Sequence, residues 1–192
     1  MDWSSEICDK GFKKIFVIHM HGAPNHNRAI DEACNYFNDT YKGKMINMWN
    51  LAIHFRPPSL DSAGEKGDGF TVHAGAGEHS MLYYLQPRFQ QLYNKNAPAA
   101  TAANPGQLDV LAKKNGWPGY WGSPRLASAA YGRIVWEAWT SAITTQVQRI
   151  LDGTYDFTRP TYGEMQAKNP AQKLVDEDAL KHDRLIEAKH VA

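Results

Sequence analysis

Lys14-Ile15-Phe16-Val17-Ile18-His19-Met20-His21-Gly22, followed further along the chain by Met45-Ile46-Asn47-Met48-Trp49-Asn50-Leu51, decides the fold class. Apolar and β-branched residues bounded by Gly11 and Gly22 predict a buried strand over 14–19. Between the two runs, Ala29, Ile30, Ala33, Cys34 and Phe37 recur at the spacing of one buried helix face. They predict a helix over about 27–40, capped by Asn25 or Asn27 and ended by Lys42-Gly43-Lys44, with a second strand over 45–51. Strand, helix and strand in that order give two parallel strands joined by a right-handed crossover, so the chain reads as α/β.

Alternation along the first strand sends His19 and His21 to one face at its carboxyl end, where open α/β sheets bind their ligands. Two imidazoles there suit a metal ion; the structural alternative is that both only bond to loop carbonyls. A second candidate is Val72-His73-Ala74-Gly75-Ala76-Gly77-Glu78-His79-Ser80. Its small residues let backbone approach a ligand, and Glu78 opens a helix whose positive end favours a carboxylate. Imidazole with carboxylate is hydrolase chemistry, although Glu78 and Ser80 can equally be helix-capping residues. A third reading places a phosphate or carboxylate on the backbone amides of 25–28, without the glycine pattern of a nucleotide loop.

The 192 residues suit one domain, or one with an appendage, burying about 70% of the unfolded surface. Twenty-one basic and 20 acidic residues, net +1, leave no electrostatic footprint for nucleic acid or an anionic membrane, and point to a small neutral substrate or a protein partner. Cys8 and Cys34 imply no disulfide framework, and the start Met-Asp-Trp-Ser-Ser-Glu is unlike a signal peptide, so a cytoplasmic location is expected. No stretch approaches the ~20 apolar residues of a membrane span.

Elsewhere, residues 3–10 read as a helix stopped by Gly11, and 55–72, with its prolines and glycines, as a loop or lid near the site. A helix is expected over about 79–94 with a kink or break at Pro87, and a flexible stretch over 97–105. The loop Gly116-Trp117-Pro118-Gly119-Tyr120-Trp121-Gly122-Ser123-Pro124 leads into a long helix over about 125–151. This gives a domain over 1–151 and a polar extension over 152–192, either an arm on a neighbouring subunit or, as composition favours, a frayed tail.

Three of these segments, taken together, resemble the creatininase (creatinine amidohydrolase) family over about residues 3–150. Gly11-Phe12 with the apolar strand and His21-Gly22 is similar to its glycine-phenylalanine start and histidine-glycine loop. His73-Ala74-Gly75 with Glu78 and Ser80 resembles its histidine-alanine-glycine and glutamate-threonine-serine motif. Gly122-Ser123-Pro124-Arg125-Leu126-Ala127-Ser128 with Gly132 resembles the segment before its last long helix. The resemblance implies an α/β/α sandwich with a mostly parallel sheet, and a metal-dependent hydrolase acting on a cyclic amide or related small ring. It implies two divalent ions, zinc or manganese, with His21 ligating one and Glu78 the other. His73 would be the catalytic histidine, passing a proton to the leaving group. His19 and His79 are candidate additional contacts to metal or substrate, and Trp117, Tyr120 and Trp121 a candidate wall over the substrate.

The departures from the family pattern lie at chosen points. His19-Met20 stands where asparagine-glycine is usual, Ala23 where creatininase has a glutamate, and His79 where the family has threonine. The amino-terminal third that supplies further ligands in the family does not precede residue 1 in this sequence. His21 and Glu78 alone are too few donors for a binuclear site, with His19, His26 and Glu32 as the available reserves. The expected assembly is a homo- or hetero-oligomer in which another chain or segment completes the site and covers an exposed sheet edge. The alternatives are a non-catalytic binding subunit on the same scaffold, or a hydrolase of an oxidised cyclic polyol.

Overall fold

A computed structural model describes residues 2–52, 55, 58, 73–92, 95–101, 107–168, 177, 181 and 184. The chain forms two compact units, one of residues 1–55 and 143–192, the other of residues 56–142.

In the first unit the order is α1 (Asp2–Asp9), β1 (Lys14–Val17), α2 (Pro24–Thr40), β2 (Lys44–Asn47) and α3 (Trp49–Ala52), with the end of α6 (Ala129–Leu151) and α7 (Tyr162–Gln166). β1 and β2 pair in parallel with Lys14 opposite Lys44 and Val17 opposite Asn47, and α2 is the crossover. Phe16 and Ile46 pack with Met48, Leu51 and Ile150 and with Ile143 and Val147 of α6. On the other face, Asp31 of α2 accepts a hydrogen bond from Asn47 Nδ2 at 2.8 Å. A helix on each face of a parallel pair is α/β architecture in three layers. Met48, 2% exposed, is the most buried member of the cluster, and burying a side chain of its size stabilises by about 1.5–3 kcal/mol.

Element boundaries differ from the sequence expectation for local reasons. β1 ends at Val17 and not at 19, so His19 and His21 stand beyond the strand and its alternation does not set their directions. β2 ends at Asn47 and not at 51, because Asn47 Oδ1 accepts the Trp49 N–H at 3.0 Å and turns the chain into α3. α2 begins at Pro24, whose fixed φ and missing N–H suit a first helical turn. Its N-cap is Ala23, without a side-chain cap, so neither Asn25 nor Asn27 caps it. Asn27 is instead fully buried, and its Nδ2 donates to the carbonyls of His21 and Ala23, each at 3.0 Å.

The outward side of β2 is closed by α2. Asn38 Nδ2 donates to the Met45 carbonyl at 3.1 Å and its Oδ1 accepts the Met45 N–H at 2.6 Å, so one side-chain amide stands where a neighbouring strand would. The Asn47 N–H reaches the Cys34 thiol, itself 5% exposed. Burial, with the charge of Asp31 added, pushes that thiol up to about 11. At pH 8 roughly one Cys34 in a thousand is then thiolate. Cys34 is expected to react with iodoacetamide far more slowly in the native chain than in urea, as followed by peptide mass spectrometry.

Residues 152–168 fold back onto their own unit. Thr154 N–H bonds the Arg149 carbonyl at 2.8 Å, and Tyr155 packs on the core cluster. α7 starts with a capping box, the Thr161 side chain accepting the Glu164 N–H and Glu164 accepting that of Thr161.

The second unit holds α4 (Ala76–Leu85), a 3-10 stretch Pro87–Leu92, α5 (Leu108–Ala112), a 3-10 turn Pro124–Leu126 and the start of α6. α4 starts at Ala76 and not at 79, and Pro87 breaks the predicted helix into two pieces. α6 starts at Ala129 and not at 125, behind the 3-10 turn that Pro124 opens. Ser80 Oγ accepts the Ser128 N–H at 3.0 Å, which joins α4 to the entry of α6. The predicted loop over 55–72 lies outside the described residues except for Phe55 and Pro58. Among the described residues no helix is long and apolar enough to cross a membrane.

Candidate functional site

In the first unit three imidazoles gather where the chain leaves β1. The His26 ring sits edge-on to His19 at 4.9 Å and to His21 at 5.1 Å between centroids. α2 presents His26 in its first turn, and Asn27 ties the His21 carbonyl to that turn. The Trp49 ring stacks on His19 at 5.6 Å. His21 and His26 are exposed and His19 is half-buried. Loss of solvent around His26, with His19 and His21 beside it, holds its pKa below the ordinary histidine value.

The tautomer of His19 follows from its partners. Asp31 Oδ1 only accepts, so the Asn47 atom facing it at 2.8 Å is the amide nitrogen. Asn47 Oδ1 therefore faces His19 Nε2 at 3.1 Å and takes its N–H. His19 Nδ1 keeps the lone pair, and it is buried with no hydrogen-bond partner.

In the second unit the chain's other candidates gather around a backbone bridge. His73 and Trp121 pair antiparallel, the Trp121 N–H meeting the His73 carbonyl at 2.8 Å, and their rings lie 5.9 Å apart. Trp117 tilts against Trp121 at 5.5 Å, and its Nε1–H donates to the Tyr120 carbonyl at 2.9 Å. Glu78, exposed in the first turn of α4, accepts the Ala74 N–H through Oε2. Ala74 has φ +48°, an uncommon conformation for a residue with a Cβ, and this bond holds it there.

His79 points elsewhere. Its Nδ1 lies 3.1 Å from the Gly75 carbonyl, which only accepts, so Nδ1 carries the proton and Nε2 is the ring's remaining polar atom. His79 lines a cavity of about 320 Å³ with Leu82, Tyr83, Phe89, Ala97 and Tyr120. That size and mixed lining suit a small ring compound.

Imidazole and carboxylate are the donors that zinc and manganese take. Among the described residues, however, no group of three or more His, Cys, Asp or Glu is placed to hold a metal ion. The side chains present thus suit the group chemically without forming a ligand set. Glu78 already carries the Ala74 N–H on one oxygen. His54, Asp61, Glu65 and Asp68 lie outside the described residues.

Sequence reasoning named the three histidines but missed Asp31, Asn47, Asn50 and Tyr162, which bond to one another beside them. The available signal was Asn47, a polar residue inside the apolar run 45–51.

A family model for creatininase, described as creatinine amidohydrolase, matches residues 1–147. A solved structure named "Putative creatinine amidohydrolase", from Bacteroides fragilis NCTC 9343, is 20% identical with a TM-score of 0.43, the match covering 81% of this chain and 60% of that one. The chain thus spans 60% of the length of the solved structure it matches. No curated protein matches it.

Proposed function

The chain belongs to the creatininase family, and from that premise we propose that it is a hydrolase of the family's amidohydrolase type, opening a cyclic amide or related small ring. The observation that carries the reading is the family match over residues 1–147, which takes in His21, His73 and Glu78 together.

In this reading His73, exposed beside Trp121, delivers a proton to the leaving nitrogen as the ring opens. Trp117 and Trp121 form an apolar wall beside His73 that excludes water from the ring face. His21 would ligate one divalent ion and Glu78 the other, each with further donors from outside the described residues or from a second chain. A divalent ion, zinc or manganese, supplies an activated water and polarises the scissile bond when bound.

The test is elemental analysis of the purified chain, with any partner that co-purifies, together with assays on cyclic amides, formamides and oxidised cyclic polyols. Stoichiometric zinc or manganese with turnover of a cyclic amide is the expected result. Metal with turnover of the polyol alone moves the substrate class. Absence of metal and of turnover overturns the reading in favour of a non-catalytic binding subunit, which the engagement of Glu78 with Ala74 favours.

A further inference from the structure

The loop from His19 to Gly22 is tied at both ends to one residue of the carboxyl-terminal segment. At one end the Tyr162 hydroxyl donates to the Gly22 carbonyl at 2.9 Å, next to His21. At the other, the Tyr162 N–H donates to Asn50 Oδ1 at 2.8 Å, and Asn50 Nδ2 donates to Asp31 Oδ1 at 2.7 Å. The same carboxylate oxygen takes Asn47 Nδ2, whose partner oxygen faces His19 Nε2. Each bond of this relay runs from a donor to an acceptor, and the acceptor-only carboxylate of Asp31 fixes the orientation of both amides.

Trp49 forms the bed of the same loop. It stacks on His19, meets the Tyr162 ring edge-on at 6.4 Å between centroids, and lies so close beneath Gly22 that a Cβ there would sit 3.0 Å from Trp49 Cζ2. The loop is therefore held by both the Trp49 ring and the Tyr162 hydroxyl. α7 packs against α2, which carries both Asp31 and His26, so the relay and the imidazoles rest on the same helix.

We infer that Tyr162 is a positioning residue for the histidine loop, orienting His21 through the Gly22 carbonyl and joining, through Asn50 and Asp31, the relay in which Asn47 fixes His19 as the Nε2–H tautomer. Tyr162 lies beyond residues 1–147, where the family model matches. The bearing of the device on catalysis rests on the hydrolase reading; the device itself does not.

The experiment is long-range proton–nitrogen NMR of the full chain labelled with nitrogen-15 histidine, at a pH where the imidazoles are neutral. In the wild-type chain His19 is expected to show one form, with Nε2 protonated and Nδ1 bearing the lone pair. Tyr162→Phe, which removes only the hydroxyl, is expected to move the His21 resonances and leave His19 in that form. Asn47→Ala, which removes the acceptor facing Nε2, is expected to release His19 into a mixture of tautomers. Glu164→Gln serves as the control, because it weakens the α7 capping box without touching the loop and is expected to leave both histidines unchanged. A His19 protonated on Nδ1 in the wild-type chain overturns the relay. His21 signals in Tyr162→Phe that match the wild type, or that move equally in Glu164→Gln, overturn the positioning role. Catalytic assays on the same variants then test the hydrolase reading separately.

Discussion

Replacing Gly132 with alanine is expected to destabilise the second unit by about 2 kcal/mol or more, against a usual gain of about 1 kcal/mol for this exchange inside a helix. The reason is distance. A Cβ at Gly132 would lie 1.8 Å from the Ser80 carbonyl oxygen, 2.3 Å from the Ser80 carbonyl carbon and 2.9 Å from the Met81 nitrogen. All three are backbone atoms of α4, so no side chain can turn away, and α4 must separate from α6. Separation also stretches the bond from Ser128 N–H to Ser80 Oγ, and Ser80 is 0% exposed. Gly77→Ala is the internal control: its Cβ meets nothing within 4 Å, so α4 should gain stability from the same exchange. Urea midpoints of the two variants should move in opposite directions. A Gly132→Ala midpoint at or above that of the wild type sinks the close-packing account.

The second large effect is expected at Glu78, where the choice of substitution separates two roles. Glutamine keeps an oxygen that accepts the Ala74 N–H, so the turn before α4 survives and stability should change by less than about 1 kcal/mol. It removes the charge that a metal ligand needs, and activity is expected to fall at least about 100-fold, in the range typical of losing a group that acts in the chemistry. Metal content should fall with it. Glu78→Ala should lose both, because Ala74 at φ +48° then has no carboxylate to hold it. A Glu78→Gln chain with full metal content and activity would reduce Glu78 to a helix-capping residue. Denaturation curves, elemental analysis and turnover on the same preparations read these outcomes side by side.

The fold was legible where periodicity is strong. The run 14–18 and the helical spacing from Ala29 to Phe37 specify strand, helix and parallel strand, and β1, α2 and β2 follow in that order. Boundaries were less legible, because single hydrogen bonds set them. Asn47 turns β2 into a helix by accepting the Trp49 N–H, which no pattern of apolar residues announces. The candidate site shows the same division. His19 and His21 stand out in sequence, yet they come together around His26 beyond the strand and not by alternation along it. The partners that fix His19 come from α2, from β2 and from α7, and residues this far apart in sequence carry no shared local signal. Ser80 and Gly132 read in sequence as parts of separate motifs, and in the fold they are the two sides of one helix contact.

The side-chain amide of Asn38 against Met45 has a topological consequence. With the outward N–H and carbonyl of Met45 taken by Asn38, and the outward N–H of Asn47 by the Cys34 thiol, β2 is a terminus of hydrogen bonding. The sheet can therefore be extended in one direction only. Any strand added to it, from this polypeptide or another, must lie beside β1, and the resulting order is fixed as incoming strand, β1, β2 before its sequence is known.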